Sequence, residues 1–325
     1  TCALPILMSH SKRALITGVN GQDGILLGQF LLTKGYEVAG VGSQPTRSEF
    51  LPKEIHYLPI DIRQTEAILK FVEEFEPNEI YNLASISSVA RSFEEPELTW
   101  EVNAYSVDAL LTPLSKSKLG SKLKFFQASS SEMFGLATIE PQNESVPFHP
   151  VSPYAQSKVS AMQSCSHQRN NGLFVACGIM YNHESIYRPK KFVTRKITSG
   201  VADIKHGRLS RLQIGNLYAE RDWGFAGDYV EAMWLMLQSD QPDDFVISTG
   251  ITHSVKDIVT ISFEEAGLGG HELEYIELDE NLLRPREVNR LVGDSSKIRR
   301  ELGWTAKKSF EELIREMVRF DLLAQ

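Results

Sequence analysis

The sequence predicts an α/β fold, a doubly wound parallel sheet with a second, smaller mixed α/β lobe. Short apolar runs suited to buried strands alternate with amphipathic helical stretches across residues 14–248, the pattern of a parallel sheet covered on both faces. The first run leads through three glycines into a helical stretch, which is how a dinucleotide-binding sheet of the Rossmann type begins. The 325 residues suffice to bury a sizeable core and to divide into two lobes.

Composition narrows the function classes. With 42% hydrophobic and 23% charged residues the chain reads as a globular protein. A net charge of -8 argues against broad nucleic-acid binding. Cys2, Cys165 and Cys177 show neither pair spacing nor a metal pattern and fit a reducing cytosol, so a cytoplasmic location and no metal are expected. Residues 2–8 are apolar but too short to span a membrane, and they lack a charged flank. Met8 reads as the natural start, within an N-terminal extension of residues 1–11.

Residues 14–17 form the first strand. Gly18, Gly21 and Gly24 follow, before a helix over 25–32. Glycines allow a tight turn and let a pyrophosphate approach the helix N-terminus, where unpaired N–H groups favour anions. The spacing Gly-x2-Gly-x2-Gly departs from the usual Gly-x-Gly-x2-Gly, and three glycines can also mark a simple turn. Residues 36–41 are the second strand. A strand that serves NAD usually ends on an acid for the ribose hydroxyls. Here it ends on Gly42-Ser43-Gln44 with Arg47 behind. An acid would repel a 2′-phosphate, whereas Ser43 and Arg47 could bind one, so NADP is expected. The competing reading leaves Arg47 a solvated surface charge.

Residues 56–60 are the third strand, ending at Asp61-Ile62, where Asp61 faces the adenine or caps the next helix. A helix over 66–75 and a strand over 79–83 follow. The small residues 84–88 suit a backbone lying along a cofactor. Residues 100–114 read as one helix, with Pro113 perturbing its end. Apolar residues 123–126 then lead to Ser129, Ser130, Ser131 and Glu132. Beyond them, Tyr154 and Lys158 lie four apart, on one helix face. Residues 173–180 are another strand, after which Arg188, Lys190, Lys191, Arg195, Lys196, Arg208 and Arg211 accumulate. Residues 212–216 are a strand and turn, 229–237 a helix, 244–248 a strand, and 255–266 and 310–323 helices.

The central group has a definite chemistry. A tyrosine, with a reference pKa of about 10, must be shifted down to accept a proton from an alcohol, and an ammonium one helical turn away can do that. Ser130 can hold the substrate oxygen. Glu132 can remove a proton from carbon beside a ketone; its alternatives are a helix cap or a salt bridge. A bare Tyr-x3-Lys is common on solvated helices, but after the glycine loop and a serine-rich strand end it points to catalysis.

The motifs at 16–24, 127–135, 152–158, 182–185, 192–197, 221–230 and 284–288 together resemble the GDP-mannose 4,6-dehydratases, extended short-chain dehydrogenase/reductases, and the resemblance runs over residues 13–322. It implies a lyase with an internal redox cycle. NADP takes hydride from carbon 4 of the mannose while Tyr154 removes the hydroxyl proton. Glu132 takes the carbon 5 proton, water leaves carbon 6, and the hydride returns there, giving GDP-4-keto-6-deoxymannose.

The implied catalytic residues are Ser130, Glu132, Tyr154 and Lys158. The cofactor set is Gly18, Asn20, Gly21, Gln22, Asp23, Gly24, Ser43, Arg47, Asp61, Ile62, Leu83, Ala84, Ser87, Tyr154, Lys158 and His183. The GDP-sugar set is Ser88, Asn182, Val193, Lys196, Asn216, Arg221, Arg284 and Glu287. Residues 12–181 and 222–250 would form the NADP-binding Rossmann domain, and 182–221 with 251–325 an interleaved GDP-sugar domain. A homodimer, or a tetramer, is implied, with no nucleic-acid or membrane partner. The alternatives are a GDP-keto-sugar reductase or epimerase, a GDP-heptose 4,6-dehydratase, and a non-enzymatic NADP-binding regulator. The chain departs from the family in carrying Ser130 for threonine, in a short segment after the second strand that lacks paired arginines, in residues 186–191, and at Ser106 and Pro113.

Overall fold

The computed structural model describes residues 11–279, 282, 288 and 290–324. The chain runs β1 (Arg13–Thr17), α1 (Gln22–Thr33), β2 (Glu37–Val41), β3 (His56–Leu58), α2 (Thr65–Phe75), β4 (Glu79–Asn82), α3 (Val89–Glu94) and α4 (Pro96–Trp100). A π-helical turn, Glu101–Tyr105, leads into α5 (Ser106–Lys116), β5 (Lys124–Ser130), α6 (Pro153–Asn170) and β6 (Phe174–Met180). Next come β7 (Asn182–Glu184), α7 (Val193–Lys205), β8 (Leu212–Ile214), β9 (Glu220–Phe225), α8 (Ala226–Gln238) and β10 (Asp244–Ile247).

Seven parallel strands form the main sheet in the order β10-β6-β5-β4-β1-β2-β3. Their apolar residues are buried on both sides because helices cover both faces. Ile25, Leu27 and Leu31 of α1 and Val230, Met233 and Met236 of α8 fill one side. Ile68 and Val72 of α2, Leu110, Leu111 and Leu114 of α5, and Ala161 and Cys165 of α6 fill the other. Each such valine, leucine, isoleucine or methionine side chain contributes about 1.5–3 kcal/mol. Strand order reverses between β1 and β4, which opens a crevice at the carboxyl ends of the strands.

Polar side chains fix both ends of this sheet. At the crevice end the Thr17 hydroxyl donates to Asn82 Oδ1 at 2.6 Å and accepts from the Leu83 and Ala84 N–H groups, both at 3.1 Å. Asn82 Nδ2 in turn donates to Gln127 Oε1 at 2.8 Å. This chain holds the turn after β4. At the opposite end the buried Glu79 accepts from Tyr81, Tyr36, Gln238 and Lys12.

In the smaller lobe β9 is the central strand. It pairs with β7 in parallel, with β11 (Thr252–Ser254) antiparallel and, later in the chain, with β13 (Arg290–Leu291) in parallel. After β11 come α9 (Val255–Glu265), α10 (Glu272–Tyr275), β12 (Ile276–Leu278), β13 (Arg290–Leu291), α11 (Ser296–Leu302) and α12 (Phe310–Leu323). β12 pairs with β8 in parallel. α7, α9 and α12 pack around Ile197, Val201, Ile258, Phe263, Ile314 and Met317.

Three expectations need correction. Residues 100–114 are not one helix: the π turn interrupts them, and Pro113 lies inside α5, which continues to Lys116. Leu110, Leu111 and Leu114 hold α5 to the sheet on both sides of the proline, so packing outweighs the missing N–H. The expected domain boundary between Arg221 and Asp222 falls inside β9, and the chain changes lobe at the β9–α8 junction instead. Finally, residues 251–325 do not all belong to the smaller lobe. Ile298 of α11 and Trp304 join the core under the main sheet, and Trp304 Nε1 donates to the Asp228 carbonyl at 2.8 Å. Among the described residues, no helix is long and apolar enough to cross a membrane, and no cluster of residues suits a metal ion.

Candidate active site

The glycine loop makes one wall of a cleft of about 850 Å³ that runs along the strand ends. Gly18 has φ 68°, and a Cβ there would stand 2.8 Å from the backbone of Ala84. A Cβ at Gly24 would stand 2.5 Å from Val19 Cα. Only glycine allows this approach of loop, strand and helix. The first turn of α1 has no side-chain cap, so its N–H groups are available to an anion. Asn20, Gly21, Gln22, Asp23, Leu83, Ala84, Ser87 and Ser88 also line the cleft. So does Ser129, whose buried hydroxyl has no protein partner. The cradle, the uncapped helix and the orphaned hydroxyl fit a nicotinamide dinucleotide.

At the far end of the loop after β2, Ser43, Asp61 and Ile62 line the cleft as expected. Arg47 does not. Its guanidinium donates to the carbonyls of Leu51 (2.8 Å) and Pro52, so it closes its own loop instead of reaching a ribose phosphate. Asn20 Nδ2 ties the same loop by donating to Gln44 Oε1 at 2.9 Å and to the Thr46 carbonyl at 3.0 Å. Asp61 lines the cleft, and it accepts from the Arg63 N–H at 3.0 Å in the turn before α2. Asp61 does not cap α2, whose N-cap is Gln64 with no side-chain cap bond.

The four expected catalytic residues converge. Ser130 ends β5, and its hydroxyl caps the short 3-10 turn Ser131–Met133 by accepting from the Glu132 N–H at 3.2 Å. Ser152 caps α6 and Pro153 occupies its first turn, so the helix begins just before Tyr154. Tyr154 and Lys158 are 7% and 3% exposed and face the cleft. Lys158 Nζ donates to the Ala128 carbonyl at 2.9 Å. Glu132 lines the same wall, half-buried.

The electrostatics correct one expectation. Tyr154 is not lowered in the protein alone. Burial pushes its hydroxyl up to about 12, against a hydrogen bond with Ser130 that pulls it down, while the Glu132 charge adds to the rise. Lys158 is the group that moves toward neutrality: burial lowers it to about 8. A phenol and an amine enclosed together both favour their uncharged forms.

Across the cleft, α1 meets the smaller lobe. His183 Nε2 lies 2.9 Å from Asp23 Oδ2, and Gln22 Nε2 donates to the His183 carbonyl at 3.0 Å. The Ser185 hydroxyl donates to Gln22 Oε1 at 3.0 Å. Beyond them Asn182, Val193, Lys196, Asn216 and Arg221 line the cleft. Arg284 and Glu287 lie outside the described residues. The basic run is only partly devoted to this site. Arg195 is buried in an ion pair with Asp321 at 2.7 Å and Arg208 pairs with Asp203, whereas Arg188, Lys191 and Lys196 line the cleft.

One cleft residue, Arg188, and one residue that braces the cleft from behind, Asn103, went unrecognised in the sequence. Arg188 pairs with the buried Glu184 at 3.0 Å and lies 3.7 Å over the Phe192 ring, so a charge that looks solvated in sequence is set into the wall. Asn103, on the π turn, accepts from the Ile86 N–H (2.9 Å) and donates to the Ile86 carbonyl (3.1 Å) and to the Ser157 hydroxyl (3.2 Å). It fixes the small-residue loop against α6. No local sequence pattern announces a π turn.

Residues 15–317 match the family model described as GDP-mannose 4,6 dehydratase. GDP-mannose 4,6 dehydratase 2 of Arabidopsis thaliana is 44% identical over 329 residues, covering 96% of this chain and 87% of that protein. Among solved structures, the Thermus thermophilus UDP-glucose 4-epimerase in complex with NAD superposes with a TM-score of 0.84 at 26% identity, covering 96% of this chain and all of that one (100%). RMD from Pseudomonas aeruginosa, complexed with NADPH, shares the fold with a TM-score of 0.79 at 20% identity, covering 96% and 99% of the two chains.

Proposed function

The chain belongs to the GDP-mannose 4,6-dehydratase family, and from that premise we propose that its cleft binds GDP-mannose beside a nicotinamide cofactor and releases GDP-4-keto-6-deoxymannose and water. The observation that carries this reading is the meeting of Ser130, Glu132, Tyr154 and Lys158 on one wall of the cleft. A nicotinamide held by the glycine loop and the residues after β4 would supply reversible hydride transfer between sugar carbons 4 and 6, with no net consumption.

The protein's own groups move the protons. Ser130 holds the oxygen on carbon 4, and Tyr154 takes the proton from that hydroxyl. Its hydroxyl, raised in the protein alone, needs a nearby positive charge to act as a base, and the pyridinium of an oxidised cofactor supplies one. Lys158, tied to the Ala128 carbonyl, holds the phenol side of the site. The carbon 4 ketone acidifies carbon 5, and Glu132 removes that proton. Hydroxide leaving carbon 6 takes up the proton that Glu132 removed and departs as water. The hydride's return to carbon 6 is matched by a solvent-exchangeable proton delivered to carbon 5, and Tyr154 gives its proton back to solvent. Lys196, Arg221, Asn216 and Asn182, with Arg284 and Glu287, would hold the GDP-sugar.

NADP is the proposed cofactor. Ser43 occupies the end of β2 where a carboxylate would repel a 2′-phosphate, and it lines the cleft. A homodimer is proposed as well. Tyr105 (61% exposed) and Phe93 (39%) present aromatic surface on the helical face around α3 and the π turn, and sedimentation of the purified chain measures the state. The buried free thiols Cys165 and Cys177 suit a reducing cytoplasm.

The test is incubation with GDP-mannose and no added cofactor. Loss of water and a 4-keto product with no net change in nicotinamide absorbance are expected. Stoichiometric consumption of NADPH with a keto-sugar would assign a reductase instead.

A further inference from the structure

His183 presents two ring nitrogens, and both face oxygens that only accept. Nδ1 is 2.7 Å from the Tyr181 carbonyl and Nε2 is 2.9 Å from Asp23 Oδ2. A neutral imidazole has a single N–H, so one contact would set a lone pair against a lone pair. Moving the proton to the carboxylate would place it on the weaker base, with reference pKa values of about 3.9 against about 6.5. The other Asp23 oxygen accepts from Gln22 Nε2 at 3.1 Å, as an anion should. The ring is also clamped face to face with Tyr229, with centroids 4.6 Å apart at 22°.

The groups facing His183 come from each neighbouring element: Asp23 from α1, the Tyr181 carbonyl after β6, Glu184 from β7, Tyr229 from α8, and Arg188 beyond β7. Burial pushes His183 down. The charge and hydrogen bond of Asp23, with the Tyr181 carbonyl, outweigh that loss and leave it raised, although Arg188 opposes them. Arg188 is itself paired with Glu184 at 3.0 Å.

We propose that His183 is a positioning residue held as an imidazolium, whose ion pair with Asp23 locks the cofactor-facing end of α1 to strand β7 of the smaller lobe. The lock sets the glycine loop against Asn182, the neighbour of His183 in the proposed sugar site. It also neutralises Asp23, whose carboxylate otherwise helps to keep the Tyr154 proton in place. The effect on cofactor retention rests on the cleft assignment above; the protonation state does not.

The experiment uses full-length protein with 15N-labelled histidine rings. One of the eight histidines should keep two protonated ring nitrogens as pH rises past about 6.5, where an unperturbed ring loses its proton. That signal should vanish in His183→Gln, and its midpoint should fall by about one unit or more in Asp23→Asn. Calorimetric titration with NADP should show about tenfold weaker binding for Asp23→Asn, roughly the worth of one such pair. Because the folded pKa is raised, the lock is complete below about pH 6.5 and wild-type binding should weaken as pH passes through the raised midpoint.

A His183 signal that titrates with the ordinary histidines, or a midpoint unmoved in Asp23→Asn, overturns the proposal. An imidazolium with unchanged NADP affinity in Asp23→Asn overturns the lock. A wild-type protein that shows the imidazolium yet binds no NADP overturns the cofactor reading instead, and the two failures are thereby separated.

Discussion

Lys158 Nζ lies 2.9 Å from the Ala128 carbonyl and 5.8 Å from the ring centroid of Tyr154. The ammonium is therefore anchored to the end of β5 and held beside the phenol, in a place that does not suit a charge. Burial lowers Lys158 from 10.5 to about 8. The unfolded chain then binds more protons between those values, so stability should rise with pH across that window. Lys158→Met should remove that slope and stabilise the fold at pH 7 by ~1–3 kcal/mol, while turnover falls by about 10²-fold or more. Urea denaturation at two pH values reads the first effect, and a variant less stable than wild type would contradict it.

Glu132→Gln should separate the two halves of the reaction. Removing the carbon 5 base should lower turnover by about 10²–10⁴-fold and stop deuterium uptake from solvent at carbon 5, while oxidation at carbon 4 persists. A single-turnover mixture should then accumulate reduced nicotinamide. Wild-type deuterium uptake in this variant would remove Glu132 from the role.

Glu79 gathers Tyr81 (2.7 Å), Tyr36 (2.9 Å), Gln238 (3.2 Å) and Lys12 (3.3 Å) around one carboxylate. It lies at the end of the sheet away from the cleft and is 1% exposed. Glu79→Ala would strand those donors, and should cost about 3 kcal/mol while the folded fraction keeps its affinity for GDP-sugar. Chemical denaturation and ligand titration test the two parts separately.

Arg47 donates to the carbonyls of Leu51 and Pro52. Arg47→Ala should therefore cost about 0.5–1.5 kcal/mol of stability through its loop and leave the ratio of NADP to NAD affinity unchanged. A tenfold fall in that ratio would return Arg47 to the 2′-phosphate.

The main sheet was legible because its signals are local and repeated. Buried strands of β-branched and aliphatic residues, each followed by a periodic helix, leave little freedom in ordering. The meeting of four side chains at the cleft was legible too, since Tyr154 and Lys158 share a helix face at a fixed spacing and Ser130 and Glu132 sit where a strand ends. The smaller lobe was not. β7, β8, β11, β12 and β13 have two or three residues each, too few to show a period, and β9 reads as a loop until its partners are known. Individual charges failed for the same reason. Arg47, Arg188 and Arg195 look alike in sequence, yet one closes a loop, one lines the cleft and one fills a core ion pair. What separates them is partners distant in the chain.

The strand β9 borrows every neighbour from elsewhere. β7 comes before it, and β11 and β13 come after α8 has already packed on the large sheet. α11 then returns to that sheet before α12 closes the small core. No cut through the backbone frees one half whole, so heating should melt the protein in a single step. The same weaving means that the proposed nucleotide cleft and the Tyr154–Lys158 pair are built by one act of folding, and a mutation that loosens either will be felt at both.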